Sequence, residues 1–376
     1  MPIADSVIIA AVVAQRAAIA DTVAFVHAHP ELAHEEHLCA AHLTGRLGDA
    51  GLRVEPDVAG LGTAFRAALT GGRAGRRVGI AALYDAVAAM REDGSTEAVH
   101  SCGHGPIAGA VVGAALALAP LREQLAGELV VIGCPADEIH SRGTAERGGG
   151  KWLTAAAGVW DDCDAALYAH PEFINTVSQA SLWMRRDTFV VAGTRSLRDD
   201  AAQPPIEAID ALLRAAAEVP RARLMIERLV LDGDVEEGTG LVLAGTLLFF
   251  ADDETGIERT ALALRSALPG AAWRAGRHVP GIQPDARVTA AVADAFAAAG
   301  RSFEPDPPPL PFATDFGSIS HRVPAALIGV GRPEGWAFHT DQGAAQFAST
   351  AGVDIAADIA TVLALATVRL SEPTPG

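Results

Sequence analysis

Two residue types that bind zinc lie two positions apart in the stretch VHSCGHGP, residues 99–106: Cys102 and His104. In an extended segment, residues two apart point to the same side, so this pair can offer a thiolate and an imidazole to one site. Both groups are zinc-type ligands. Taken alone, such a pair is more typical of a buried cysteine beside loop histidines. Further metal-type residues elsewhere in the chain favour the metal interpretation.

These further residues each follow a short apolar, β-rich run. They are Asp85 after residues 77–84, Asp137 and Glu138 after residues 128–134, His170 at the end of residues 165–170, and His339 in the glycine-rich loop beyond residues 325–329. Residues at the carboxyl ends of neighbouring strands converge on one pocket of an α/β sheet. The sequence therefore predicts a ligand set for two metal ions.

The elements that must position these residues alternate between helix and apolar strand. Periodicity predicts helices over residues 5–27, 33–50, 106–121, 144–157, 285–299 and 341–370, and strands over residues 52–58, 63–70, 77–84, 128–134, 165–170 and 325–329. This alternation predicts a largely parallel or mixed sheet covered by helices on both faces, an α/β sandwich.

The pattern changes between residues 181 and 285. There the predicted order is strand, helix, strand, strand, helix, strand, over residues 183–192, 205–218, 223–231, 241–251, 255–267 and 271–275. This is the β-α-β-β-α-β order of a ferredoxin-like α+β module. The alternation of helices and apolar strands seen before residue 181 resumes after residue 285. We therefore expect residues 181–285 to be inserted into a domain formed by residues 1–180 and 286–376.

Composition narrows the classes of partner and compartment. The chain has 376 residues, half of them apolar, and a formal net charge of −17. The negative charge argues against nucleic acid and against an anionic membrane surface. The four cysteines are widely spaced and too few to stabilise a chain of this length, which favours a reducing compartment, and we expect the cytoplasm. The apolar residues 6–14 are too short to span a bilayer.

Several motifs, in this order along the chain, resemble the metal-dependent aminoacylase and carboxypeptidase clan. Within it, the chain is most similar to the aminobenzoyl-glutamate hydrolase and β-alanyl-lysine dipeptidase subgroup, beside hippurate hydrolase and auxin-conjugate hydrolase. The motifs are HPEL at residues 29–32, YDA at 84–86, HSCGH at 100–104, GCPADE at 133–138, GGGK at 148–151, AHP at 169–171, ATDFG at 313–317 and FHT at 338–340.

The resemblance implies roles for individual residues. It implies that two divalent cations, zinc or manganese, are bound by Cys102, His104, Glu138, His170 and His339. Asp85 matches the residue that orients an active-site ligand, and Asp137 matches the general base that activates water and protonates the leaving amine. The inserted module matches a lid domain, through which relatives often form homodimers. The implied activity is hydrolysis of an amide bond in a small molecule.

The chain departs from this family pattern at positions that face substrate or move protons. The base position holds Asp137 instead of glutamate, which is one methylene longer, and Gly105 replaces the usual Asp or Asn after the ligand histidine. The stretch AGTRSLRDD, residues 192–200, lacks the lid histidine that stabilises the oxyanion, and Arg195 or Arg198 could donate instead. The strand LAGTLLFFADD, residues 243–253, lacks the lid arginine that helps hold a substrate carboxylate.

Arg322 and Arg332 lie near the C-terminal loops and could hold an anionic group, although either could equally pair with an acidic surface.

Three functions remain open. The first is a metallo-amidohydrolase that cleaves an N-acyl amino acid, a dipeptide or a related conjugate, with specificity altered from the family norm. The second is a metal-binding homologue that binds ligand or acts as a scaffold without hydrolysis. The third is a biosynthetic tailoring enzyme that uses the same metal site.

Overall fold

The computed structural model describes residues 3–192, 205–232 and 242–373. The chain divides into two compact units. The first comprises Met1–Ala180, Ile282–Pro308 and Asp315–Gly376, and the second comprises Ser181–Gly281 and Pro309–Thr314. Residues 282–285, expected in the inserted module, therefore lie in the first unit, whereas Pro309–Thr314 lies in the second because Leu310 pairs with Ser181.

The first unit is built on a six-stranded sheet. Its strands are β1 (Arg53–Pro56), β2 (Phe65–Thr70), β3 (Arg73–Ala82), β6 (Ala126–Gly133), β7 (Ala165–Glu172) and β13 (Ala325–Gly331). They lie in the order β1-β2-β6-β3-β7-β13; β3, β6, β7 and β13 are mutually parallel, and β1 and β2 are antiparallel additions at one edge. Consecutive residues in the parallel strands are buried, so both faces of the sheet are covered, as the sequence predicts.

The helices of this unit pack around the sheet and against one another. They are α1 (Asp5–Ala14), α2 (Arg16–Ala28), α3 (His37–Asp49), α4 (His104–Leu118), α5 (Arg142–Arg147), α6 (Gly150–Ala156), α9 (Ala286–Ala298), α10 (Gly317–Ser320), α11 (Asp341–Ala348) and α12 (Thr350–Ser371). Among the described residues, His104–Leu121 and Thr350–Ser371 are long and apolar enough to cross a membrane, and 78% and 67% of these stretches are buried inside the protein. Helices α4 and α12 pack on each other in the core.

Some predicted elements differ in detail. The helix predicted over residues 5–27 is two helices that meet at Gln15 with a bend of 51°. The helix predicted over residues 341–370 is also two, because the Ser349 side chain accepts a hydrogen bond from the Ala351 backbone N–H and caps α12. The structure also contains a hairpin that the sequence interpretation missed, β4 (Val87–Met90) and β5 (Thr96–Val99).

The second unit has an antiparallel sheet in the order β11-β8-β10-β9, with β12 (His278–Val279) also paired to β8. In chain order the elements are β8 (Trp183–Ala192), α7 (Pro205–Ala217), β9 (Leu224–Asp232), β10 (Val242–Ala251), α8 (Glu254–Ala267) and β11 (Ala272–Arg274). Helices α7 and α8 pack on this sheet around Phe189, Leu247 and Phe249. The order and pairing are ferredoxin-like, as the β-α-β-β-α-β pattern predicts.

Candidate metal centre

The loops that follow the parallel strands bring all five predicted ligands together. Cys102, His104 and His170 form one group, and Cys102, Glu138 and His339 form a second; the ligand atoms within each group lie within 4.8 Å of one another. Cys102 belongs to both groups. Five residues from four segments of the first unit thus form two adjoining sets of donor atoms that share one sulfur atom.

His104 opens helix α4, and its ring is oriented by the loop after β3. Its Nδ1 lies 2.7 Å from the backbone oxygen of Asp85 and 3.0 Å from the Asp85 carboxylate. These acceptors place the ring proton on Nδ1, so Nε2 is unprotonated and its lone pair is free to bind a cation. The other Asp85 oxygen accepts the backbone N–H of Glu138 at 2.9 Å. Asp85 therefore contacts one ligand side chain and the backbone of another.

His170 and His339 approach Cys102 from the ends of β7 and of the loop after β13. The Nε2 atoms of His170 and His339 lie 3.8 Å and 3.2 Å from the Cys102 sulfur. The His170 Nδ1 faces the Pro171 backbone oxygen at 2.6 Å and the Glu172 carboxylate at 3.5 Å. His339 has a φ of 58°, and its backbone N–H donates to the Ser101 oxygen at 2.9 Å. Both rings thus present Nε2 to the shared thiol.

The electrostatics of these groups favour a bound cation. Although burial opposes the thiolate, the neighbouring imidazoles of His104, His170 and His339 lower the pKa of Cys102 well below its usual range. Burial, followed by the charge of Cys102, raises the pKa of Glu138 well above its usual range. Anionic donors that repel each other in a buried site are stabilised by a positive charge between them.

The donor atoms fit two divalent cations. The Nε2 of His104 and Oε1 of Glu138 are buried and have no hydrogen-bond partner among the residues that the structure describes. Such orphaned atoms need a partner, and each of them belongs to one of the two donor groups that share Cys102. A thiolate, a carboxylate and three imidazoles suit borderline metals such as zinc better than calcium or magnesium.

Asp137, the predicted general base, lies beside the ligands. One oxygen of its carboxylate lies 3.3 Å from His104 Nε2, and the other accepts a hydrogen bond from the Lys151 ammonium group. Lys151 is fully buried in α6, and its Nζ also lies 2.9 Å from the Asp315 carboxylate. Burial alone would raise the pKa of Asp137, but Lys151 and His104 outweigh it and hold that pKa below its usual range.

The sequence interpretation assigned no role to Lys151 and Asp315, although both lie in motifs that carry the family resemblance. The signal that could have found them is the lysine itself, because a lysine in an otherwise apolar helix requires a buried carboxylate partner. Asp315 supplies that partner and also accepts the Trp152 backbone N–H at 2.9 Å.

Of the four predicted substrate-binding arginines, the structure describes Arg322 and Arg332. Arg322 makes two hydrogen bonds to the Asp161 carboxylate on the surface, at 2.9 and 2.8 Å. Arg332 stacks on the Trp336 ring at 3.7 Å and donates to the Gly335 backbone oxygen. Both guanidinium groups thus already have partners among the described residues, and their role in binding substrate stays a prediction. Arg195 and Arg198 lie outside the described residues.

A cavity of 440 Å³ opens beside the centre. Glu138 and His339 line one side of it, and the hairpin β4–β5 lines another with Val87, Ala88 and Val99. Arg91 also lines the cavity and forms ion pairs with Glu97 and Asp341. The cavity thus joins the donor groups to a wall of small apolar side chains.

Comparison with known proteins agrees with this arrangement. Residues 79–360 match the model of peptidase family M20/M25/M40. The chain belongs to this family. Its similarity to the aminoacylase and carboxypeptidase clan, predicted from the motifs, is thereby confirmed.

Two curated relatives match part of the chain. One is a p-aminobenzoyl-glutamate hydrolase component from Escherichia coli, 33% identical over 155 residues, which are 38% of this chain and 30% of that protein. The other is the Xaa-Arg dipeptidase of Mus musculus, 36% identical over 157 residues, which are 38% and 32% of the two chains. The match spans about a third of the length of either relative.

Solved structures share the fold over nearly the whole chain. An aminohydrolase from methicillin-resistant Staphylococcus aureus gives a TM-score of 0.73 at 18% identity and covers 98% of this chain and 100% of its own. A dinuclear metal binding peptidase of the M20 family from Bacillus subtilis gives 0.67 at 19% identity and covers 95% and 99%. These similarities establish the α/β architecture with its inserted α+β unit.

Proposed function

We propose that this chain is a metal-dependent amidohydrolase that cleaves an N-acyl amino acid, a dipeptide or a related conjugate. The observation that carries the proposal is the pair of donor groups joined at Cys102, with the Asp137 carboxylate 3.3 Å from one ligand nitrogen. A carboxylate beside two cation sites is the arrangement that amide hydrolysis by water requires. The names of the two curated relatives, a hydrolase and a dipeptidase, agree with this reaction type.

The residues have separate tasks in the proposed reaction. Cys102, His104, Glu138, His170 and His339 would hold two divalent ions, zinc or manganese. When bound, these ions would lower the pKa of water and polarise the substrate carbonyl.

Asp137 accepts a proton from the attacking water as the carbon–oxygen bond forms. It then delivers that proton to the amide nitrogen as the carbon–nitrogen bond breaks. Asp85 keeps the His104 ring in the tautomer that leaves Nε2 unprotonated.

The cavity beside the hairpin favours a substrate with a small apolar group next to the amide. Val87, Ala88 and Val99 form one part of its wall, and Arg91, which also lines it, is already paired with two carboxylates. Because no free cation of the described residues lines this cavity, an apolar group fits it better than a carboxylate does. This supports specificity altered from the family norm.

The test is release of amine from a panel of N-acyl amino acids, dipeptides and aminobenzoyl-glutamate, with zinc or manganese added in turn. We expect Asp137→Ala to lower kcat by about 10²- to 10⁴-fold, the usual contribution of a positioned acid–base group. We expect Asp137→Glu to retain or gain activity. The matched control is Asp161→Ala, which removes an exposed carboxylate that pairs with Arg322. Turnover unchanged by both Asp137 substitutions would contradict the mechanism.

The contact between Lys151 and Asp137 favours a second candidate, a metal-binding homologue that holds ligand without hydrolysis. A carboxylate neutralised by a buried ammonium is a weaker proton acceptor than a free one. Tight binding of panel compounds, measured by calorimetry on the metal-loaded protein, together with no released amine, would support this candidate over the hydrolase.

A further inference from the structure

Glu36 is a buried carboxylate at the start of α3 that the proposed chemistry does not use. It is 0% exposed, and no ion pair of this residue is found in the part of the chain that the structure describes. Burying a carboxylate without a cation is costly unless hydrogen bonds compensate it. Its hydrogen bonds therefore indicate what it does.

The two oxygens of Glu36 bind different parts of the first unit. Oε1 accepts the backbone N–H groups of His34 and Ala136, both at 2.8 Å. Oε2 accepts the Thr63 hydroxyl at 2.9 Å. Oε1 thus connects the segment before α3 to the loop after β6, a separation of 100 residues in the chain.

Ala136 needs such a restraint. It is a fully buried residue with a φ of 58°, in the left-handed region. That conformation is unfavourable for an alanine, because its Cβ comes too close to the following carbonyl oxygen. The two residues that follow it are Asp137 and Glu138, the proposed base and a proposed ligand, so the backbone at Ala136 sets where both side chains start.

The same segment supports Asp137 from a second side. The His34 backbone N–H donates to Glu36, and Nε2 of the His34 ring lies 2.9 Å from the Gly148 backbone oxygen. Gly148 begins the glycine run that leads to Lys151, whose ammonium group binds Asp137. One segment therefore restrains both loops that meet at this carboxylate.

We propose that Glu36 is a positioning residue, which holds Asp137 and Glu138 at the metal centre through the backbone N–H of Ala136. The proposal rests on the proposed function, because it assigns these two residues to that site. Glu36 touches neither substrate nor cation. Its effect on the reaction is transmitted by the loop after β6.

The experiment compares Glu36→Ala and Glu36→Gln with the control Thr63→Val. Glu36→Ala removes every hydrogen bond of this side chain, Glu36→Gln keeps an oxygen for the two N–H groups, and Thr63→Val removes only the bond to Oε2 and leaves Ala136 held. The readouts are kcat and KM, the visible absorption spectrum of the Co(II)-loaded protein, and the midpoint of urea unfolding.

We expect Glu36→Ala to lower kcat about 100-fold with little change in KM, because a displacement of about 1 Å has that effect. Its Co(II) spectrum should change, since Glu138 shifts. Glu36→Gln should restore kcat and spectrum to near the wild-type values, because its carbonyl oxygen accepts the same two N–H groups. Thr63→Val should lower the unfolding midpoint and leave both readouts unchanged.

Two results would overturn the proposal: an unaltered kcat and Co(II) spectrum in Glu36→Ala, or a Thr63→Val protein that loses as much kcat as Glu36→Ala. If Glu36→Ala does not fold, Glu36→Asp takes its place, because the shorter aspartate side chain withdraws from Ala136. An unchanged Co(II) spectrum and kcat in Glu36→Asp would refute the proposed role equally. If the wild type hydrolyses nothing, the Co(II) spectra still decide about Glu36 while the proposed function fails. A wild type that binds no Co(II) overturns both.

Discussion

Replacing Lys151 by methionine tests the buried charge cluster behind Asp137. The lysine side chain is 0% exposed and is the cation between the carboxylates of Asp137 and Asp315. Methionine has a similar length and no charge, so the substitution leaves two buried carboxylates without their shared partner while it keeps most of the packing.

The structure indicates the size of the effect. Removing one partner of a buried ion pair costs about 3–5 kcal/mol, because the remaining charge stays desolvated. For a unit of this size, that loss corresponds to a fall in the unfolding temperature of about 10 °C. Even with Lys151 present, burial, aided by Asp137, raises the pKa of Asp315. Without the lysine, protonation of the carboxylates relieves their repulsion, so the loss should shrink as the pH falls from 7 to 5.

The assay is urea unfolding of the metal-free protein, followed by circular dichroism at both pH values. The double variant Lys151→Met/Asp315→Asn should recover part of the stability, because one of the two unpaired carboxylates is gone. The control is Arg214→Met, which breaks an exposed ion pair with Asp210 and should cost less than about 0.5 kcal/mol. A loss below about 1 kcal/mol in Lys151→Met, or a double variant no more stable than the single one, would refute the reasoning.

Three further outcomes follow from other sites. Burial, followed by the charge of Asp85, raises the pKa of Glu36 from 4.5 to about 7. Between these pH values the folded chain therefore holds a proton that the unfolded chain releases. The free energy of unfolding should fall as the pH rises from 4.5 to 7. Glu36→Gln should remove roughly 3 kcal/mol of that fall, as measured by urea unfolding across this range. A chelator should lower the unfolding temperature, and added zinc or manganese should restore it. Elemental analysis of the restored protein should find two ions per chain. Recovery of the unfolding temperature without added metal would contradict the proposed metal site. Ala88→Trp, which fills the hairpin cavity, should raise KM at least about tenfold, whereas Val7→Trp on exposed α1 should not; equal KM values would exclude the cavity as substrate site.

Glu138, His170 and His339 could be predicted as ligands because each lies at or just beyond the end of a strand that the sequence marks clearly. Apolar runs such as residues 128–134 and 165–170 need no tertiary information to be recognised, and parallel strands deliver their C-terminal loops to one edge. Cys102 and His104 were weak evidence alone. They gained meaning from Glu138, His170 and His339, and the structure places all five side chains together.

The supporting residues could not be predicted in the same way. Glu36 precedes a helix, where a glutamate is ordinarily solvated, and its burial depends on contacts with residues 63 and 136. The hairpin β4–β5 has strands of four residues, and only the Asp-Gly pair in its turn, residues 93–94, indicated it. The bend at Gln15 has neither glycine nor proline to indicate it.

The sulfur atom that joins the two donor groups also makes the centre sensitive to oxidants. Cys102 is partly exposed, whereas Cys39, Cys134 and Cys163 are buried, and burial raises the pKa of each of these three thiols. Peroxide reacts with thiolates that it can reach, so it should select Cys102 from the four. Conversion of this one sulfur to a sulfenic acid would remove a ligand from both donor groups at once. A single oxidation event would then release two ions, and a thiol reductant together with fresh metal would be needed to reverse it.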